Sequence, residues 1–169
     1  MKRLTILLIL ITSIGELSAQ KCKYTFDKED PISGERVRRN SYKLKKQAFT
    51  VSYYRNGDDY RLELSILFAG SRNDIITPKD ELILKMSNGE NVSVNPVENY
   101  EPVKQATTVS VYTVYAVSYA ATKEIMEQLS NGGGITYARA TIGSESFDVE
   151  VKGKNSEKMM EGAKCMLSD

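Results

Sequence analysis

The chain contains no histidine and no tryptophan. Without histidine it lacks the side chain that most often acts as a general base near neutral pH and most often ligates a metal. Ser-His-Asp and Cys-His nucleophile systems and histidine-zinc centres are therefore excluded. The missing tryptophan removes the largest aromatic platform for stacking on a sugar ring. An excess of charge of one sign is lacking as well, with 23 Lys and Arg against 22 Asp and Glu over 169 residues. A general nucleic-acid binder needs surplus cations to displace phosphate counterions, and attraction to an anionic bilayer needs a polybasic segment. Neither nucleic acid nor a membrane surface is an expected partner.

Long apolar runs are confined to one place. Lys2-Arg3 precedes Leu4 to Ile11, and small and polar residues follow up to Leu17-Ser18-Ala19 before Gln20. That order of charge, apolar core and small residues is the pattern of a secretory signal peptide. The run is well short of the ~20 residues needed to cross a bilayer, so no stable membrane insertion is expected once the leader is cleaved. The sequence thus predicts a signal peptide over residues 1–19 and one domain over 20–169, exported to the periplasm or beyond the cell. The leader holds two of the 23 basic and one of the 22 acidic residues, leaving 21 of each in the remainder. Those 169 − 19 = 150 residues suffice for an ordinary core, because a domain of that size buries about 70% of its extended-chain surface.

Only Cys22 and Cys165 carry thiols. In an oxidising compartment an even pair is expected to close a disulfide. Two free buried thiols and an intermolecular bond are the alternatives. A lipid anchor on Cys22 is disfavoured, because Gln20-Lys21 stands where a lipobox requires a small residue.

What is present is mostly period two, the rhythm of half-buried strands. Tyr60, Leu62, Leu64, Ile66 and Phe68 fall on one face and Arg61, Glu63 and Ser65 on the other. Phe49, Val51 and Tyr53 alternate just upstream, and Asn56-Gly57 between the two runs suits a type I′ hairpin turn. Residues 47–69 therefore predict a hairpin. A second is expected from Leu82, Leu84 and Met86 through Asn88-Gly89 to Val92 and Val94. A long strand at 107–119 would place Val109, Val111, Tyr115, Val117 and Tyr119 on one face. A last pair, 135–142 and 146–152, flanks Gly143-Ser144-Glu145, and 22–27 and 36–44 flank Asp30-Pro31-Ile32-Ser33-Gly34. Two short helices interrupt this rhythm. Thr122 is the expected N-cap of the first, with Ile125, Met126 and Leu129 inward. Asn155 or Ser156 is the expected cap of the second, with Met159, Ala163 and Met166 or Leu167 inward and Cys165 in the last turn. The fold class is mainly β: an antiparallel β-sandwich-like domain with two short helices, or else a partly open barrel.

No residue set singles out a catalytic, cofactor-binding or metal site. Arg36, Arg38, Arg39, Lys43, Lys45 and Lys46 form the most lopsided charge cluster, read as an edge strand armed against aggregation. Binding of an anionic polymer is the sharper reading. Among the strand tyrosines, Tyr60, Tyr115, Tyr119 and Tyr137 match the apolar register and are expected inside, whereas Tyr112 faces the other way. Neither Asp27-Lys28-Glu29-Asp30 nor Asp58-Asp59 has the Asp-x-Asp-x-Asp-Gly loop of a calcium site. Catalysis by paired carboxylates survives without histidine, but no pair is identifiable.

The leader ending in Ser18-Ala19-Gln20, the loop Asp30-Pro31-Ile32-Ser33-Gly34 and a strand, helix and strand between Thr107 and Lys152 together resemble small uncharacterised secreted proteins of Bacteroidota. The resemblance implies a β-rich domain in a bacterial envelope and carries over no site residue. The expected function is a non-catalytic binding or assembly module whose partner is a protein or surface glycan. A small carboxylate-dependent hydrolase of envelope or extracellular glycans is one alternative. A carrier of a small apolar ligand is the other.

Overall fold

Alternating apolar residues demand a sheet with one face covered, and the apolar runs of this chain build two such sheets against each other. The computed structural model describes residues 22–45 and 48–168, Lys45 in its backbone only. The predicted leader, its cleavage point and Lys46 lie outside the described residues. A six-stranded antiparallel sheet contains β1 (Phe26–Glu29), β2 (Arg36–Lys45), β3 (Phe49–Asn56), β4 (Asp59–Ala69), β7 (Val103–Ala106) and β8 (Val111–Ala121). It runs in the order β1-β2-β3-β4-β8-β7 and is curled like half a barrel. The second sheet has four strands in the order β10-β9-β5-β6. These are β5 (Leu82–Met86), β6 (Asn91–Val94), β9 (Ile135–Ile142) and β10 (Glu145–Glu150). The expected β-sandwich-like class is the observed one, and the curl of the larger sheet retains part of the barrel alternative.

The hairpin of β3 and β4 pairs Phe49 with Ile66, Val51 with Leu64 and Tyr53 with Leu62. A slip of one residue would turn every one of these side chains outward, so burial of the apolar face specifies the register. That register pairs Asn56 with Asp59 and leaves Gly57-Asp58 as the two-residue loop, one position later than expected. Gly57 supplies the positive φ, 56°. The predicted strand at 107–119 is likewise shortened. Residues 107–110 turn between β7 and β8, with the Thr107 hydroxyl accepting from Ser110 N at 3.0 Å, and Val109 is 89% exposed.

Both helices close the sandwich. In α1 (Lys123–Asn131) the Thr122 hydroxyl caps Ile125 N, as the sequence predicts. The second helix, α2 (Gly153–Leu167), starts two residues before the expected caps and has Lys152 at its N-cap with no side-chain bond. Val151 still pairs with β9, its amide donating to Thr136 O, so the chain leaves the sheet straight into the helix. Asn155 donates instead to Lys43 O of β2 at 3.2 Å.

Met126 and Leu129 from α1 and Met159, Ala163 and Met166 from α2 join the inner faces of both sheets in one core. Phe68 of β4 meets Phe147 of β10 at 4.7 Å between ring centroids. The Arg72 guanidinium lies over both rings and pairs with Glu145, linking the sheets at that end. Cys22 and Cys165 stand at disulfide-bonding distance with Cα atoms 5.5 Å apart. They tie the start of the described chain to the last turns of α2.

Candidate binding surfaces

The outer face of the four-stranded sheet carries the most exposed aromatic ring among the described residues. The alternation of β9 predicts Tyr137 inside, alongside Ile135, yet Tyr137 is 44% exposed. The cause is a bulge. Lys85 pairs with Tyr137 but Met86 pairs with Ile135, leaving Thr136 as the extra residue. One inserted residue reverses the inward and outward phase of a strand. Ile135, Ala138, Ala140 and Ile142 therefore face the core, and Tyr137 and Arg139 face solvent.

Around Tyr137 the register assembles a defined row. Lys85 of β5 lies on one side and Glu150 of β10 on the other, with Asn91 of β6 beyond Lys85. In the next row Arg139 stands between Ile83 and Asp148. Its guanidinium makes two parallel bonds to the Asp148 carboxylate, each 2.7 Å, the fork geometry that best immobilises an arginine. The hydrogen bond from Arg139 holds the Asp148 carboxyl below its ordinary range. Ile83, Lys85, Asn91, Tyr137 and Arg139 line a hollow of about 380 Å³. A rigid sheet thus presents one aromatic ring, one aliphatic side chain, two cations and an amide together.

A second surface lies between α2 and β2, beside the cysteine pair. It is a groove of about 520 Å³ lined by β2 residues Asn40, Ser41 and Tyr42, by α2 residues Lys158, Glu161, Gly162 and Cys165, and by Lys23 and Thr25. Gly162 lets the Tyr42 ring pack closely against α2 at this wall. A Cβ at Gly162 would overlap the Tyr42 hydroxyl and lie 2.8 Å from its Cζ. Burial, followed by the nearby Glu161 charge, pushes the Tyr42 hydroxyl pKa up, so the group stays neutral. Asn40, only 5% exposed, accepts from Thr25 N through Oδ1 at 3.2 Å. Sequence reasoning overlooked both side chains. A polar amide among inward-facing positions of β2 is the signal that could have drawn attention to Asn40.

The other expected residues are scattered. Arg36 to Arg39 do not arm an edge, because β1 pairs with them and β3 covers the other side of β2, whereas Lys43 and Lys45 lie on the length of β2 that β1 does not reach. The three arginines are spent individually. Arg36 forks onto Asp27 with two 2.7 Å bonds, and Arg39 pairs with Glu63 at 2.6 Å. Arg38, 5% exposed, donates to Ser168 O with its guanidinium over the Tyr24 ring. Tyr60, Tyr115 and Tyr119 are in the core as expected, Tyr53 joins them, and Tyr112 is half-buried. Asp30 accepts from the amides of Ile32 and Ser33, and Asp59 pairs with Arg61, so both acidic stretches serve their own turns.

Three carboxylates, Glu90, Glu124 and Glu127, rim an open hollow of about 350 Å³. The Thr122 hydroxyl bonds Glu124 and lowers its pKa. A glycosidase acid needs the reverse, a carboxyl kept protonated near neutrality. The space between the sheets, where an apolar ligand would ride, is occupied by Tyr53, Tyr115, Tyr119, Leu62 and Leu64, each below 2% exposure. No protein-family model, curated protein or solved structure matches this chain.

Proposed function

We propose that this protein is an exported, non-catalytic binding module of a bacterial cell envelope that grips a surface glycan with the outer face of its four-stranded sheet. The observation that carries this reading is the bulge at Thr136, which turns Tyr137 out of the core and into the hollow with Ile83, Lys85, Asn91 and Arg139. Bulges that re-aim a side chain are concentrated at functional sites. An aromatic face bordered by fixed hydrogen-bonding groups suits the alternating apolar and hydroxyl-bearing surfaces of a sugar. Export is supported by the leader pattern and by a cysteine pair at bonding distance, a feature of oxidising compartments. No described helix is long and apolar enough to cross a membrane.

The strength expected of the platform follows from its area. A tyrosine side chain offers about 200 Å², so its 44% exposed share is about 90 Å². Covering that area contributes about 2 kcal/mol at 25 cal/mol/Å². The test is retention of the exported protein on polysaccharide prepared from its own envelope, comparing wild type with Tyr137→Ala. Glycan binding predicts marked loss in the variant. Equal retention of both proteins, or capture only by an envelope protein after the polysaccharide is removed, would refute it.

A further inference from the structure

We propose a second, separate site: the groove between α2 and β2 binds the carboxylate group of a small monoanionic ligand. Its volume of about 520 Å³ lies within the range of small-ligand sites, about 300–1,000 Å³. Its floor contains an uncommitted donor. The Asn40 side chain is 5% exposed, and its Oδ1 is committed to Thr25 N. Its Nδ2 donates to no described residue and lies 3.5 Å from the position a Gly162 Cβ would take, beside the Tyr42 hydroxyl, and Asn40, Tyr42 and Gly162 all line the groove. That nitrogen is not one of the buried side-chain atoms left without a partner, so it can be reached from the groove, where an acceptor on a ligand can take the place of water.

The remaining groups agree on the sign of that ligand. The Tyr42 hydroxyl, neutral and over Gly162, has no hydrogen-bond partner among the described residues and supplies a further donor. Lys23 and Lys158 bring two positive charges and Glu161 one negative, and none of the three is ion-paired among the described residues. The lining therefore has a net charge of +1 and more donors than acceptors. A carboxylate monoanion neutralises it, whereas a phosphate dianion would leave an uncompensated negative charge beside Glu161. Cys22 keeps the wall carrying Lys23 and Thr25 against α2 through its bond to Cys165.

The experiment is an NMR titration of the exported, oxidised protein, following the Asn40 side-chain amide and the Gly162 backbone amide. Glucuronate and N-acetylglycine serve as carboxylate probes, with glucose and N-acetylglycinamide as their neutral counterparts and inorganic phosphate as the competing anion. Both carboxylates are expected to move the two signals saturably, and the neutral counterparts to bind at least about tenfold more weakly. Preference for glucuronate would mark the source as an acidic sugar, and preference for N-acetylglycine would mark it as a peptide C-terminus. Lys158→Glu, on an exposed position of α2, should weaken binding by about tenfold or more without unfolding the protein. Equal binding of neutral probes, stronger binding of phosphate, unchanged affinity in Lys158→Glu, or no shift at about 10 mM probe would each overturn the proposal.

Discussion

Removing the Cys22–Cys165 bond perturbs the longest covalent loop in the chain and allows a magnitude to be stated in advance. The bond spans 143 residues, for which the chain-entropy relation gives about 5 kcal/mol at 25 °C. Measured losses for native disulfides fall mostly at about 2–5 kcal/mol, so about 4 kcal/mol is expected for the double variant Cys22→Ala, Cys165→Ala. Alanine is preferred to serine because Cys165 is buried and a hydroxyl there would need a partner. The join retains other contacts. Tyr24 donates to Cys165 O at 2.8 Å, and Arg55 donates to Met166 O and Ser168 O at 2.8 and 2.9 Å. Folding should therefore survive, with Tm lowered by about 10 °C at the 2–4 °C per kcal/mol usual for this size. Urea titration of the oxidised protein, the reduced protein and the double variant is the assay. The reduced and variant proteins should agree with each other and lie well below the oxidised one. A difference under about 1 kcal/mol would show that closing this loop does not constrain the unfolded chain to the extent chain entropy requires.

Gly162→Ala sets two effects in opposition. Alanine gains about 1 kcal/mol in a helix interior, but its Cβ must displace the Tyr42 ring, which overpacking data place at about 1–3 kcal/mol. Net destabilisation is expected, and adding Tyr42→Phe should recover part of it because Cζ remains 2.8 Å away; full additivity in the double-variant cycle would contradict the contact. At low pH the arginine-paired carboxylates Asp27 and Asp148 matter. Their folded-state pKa values are depressed, so their contribution is present above the ordinary carboxylate range and disappears as pH falls through the folded values. Carbon-detected NMR titration should find both midpoints below the ordinary aspartate range, and Arg139→Gln should return Asp148 alone to normal. At high pH, burial raises the pKa of Tyr42, Tyr53 and Tyr119. Their stabilising effect holds below about pH 10 and declines above it. Absorbance titration should show these three of the 10 tyrosines ionising only with unfolding, and reversible ionisation of all ten in the folded protein would contradict their burial.

The strands were legible wherever a side chain's environment follows from its neighbours in sequence. Tyr60 to Phe68 alternates over a whole strand, and the core needs no further information to choose its face. Thr122 was legible for the same reason, since an N-cap is a local hydrogen bond. Tyr137 was not. A single unpaired residue at Thr136 inverts the phase of β9, and whether a strand bulges depends on the partner strand. That Arg36 to Arg39 are covered was not legible, because an edge is a property of sheet order and the short, exposed β1 that covers them has no apolar alternation to announce it. The α2–β2 groove was invisible for a stronger reason. Asn40, Lys158 and Gly162 are brought together only by the packing of the last helix against an early strand. The cysteine pair, by contrast, could be proposed from two residues and a compartment.

On the proposed reading, the outer face of the four-stranded sheet recognises glycan through Tyr137. The most direct measurement is affinity electrophoresis in gels containing the native envelope polysaccharide, comparing wild type, Tyr137→Ala and, as a control on the other sheet, Tyr112→Ala. Wild type and Tyr112→Ala should be retarded alike, and Tyr137→Ala should need about thirtyfold more polysaccharide for the same retardation, the equivalent of about 2 kcal/mol. Identical mobility of wild type and Tyr137→Ala at every polysaccharide concentration would contradict the account.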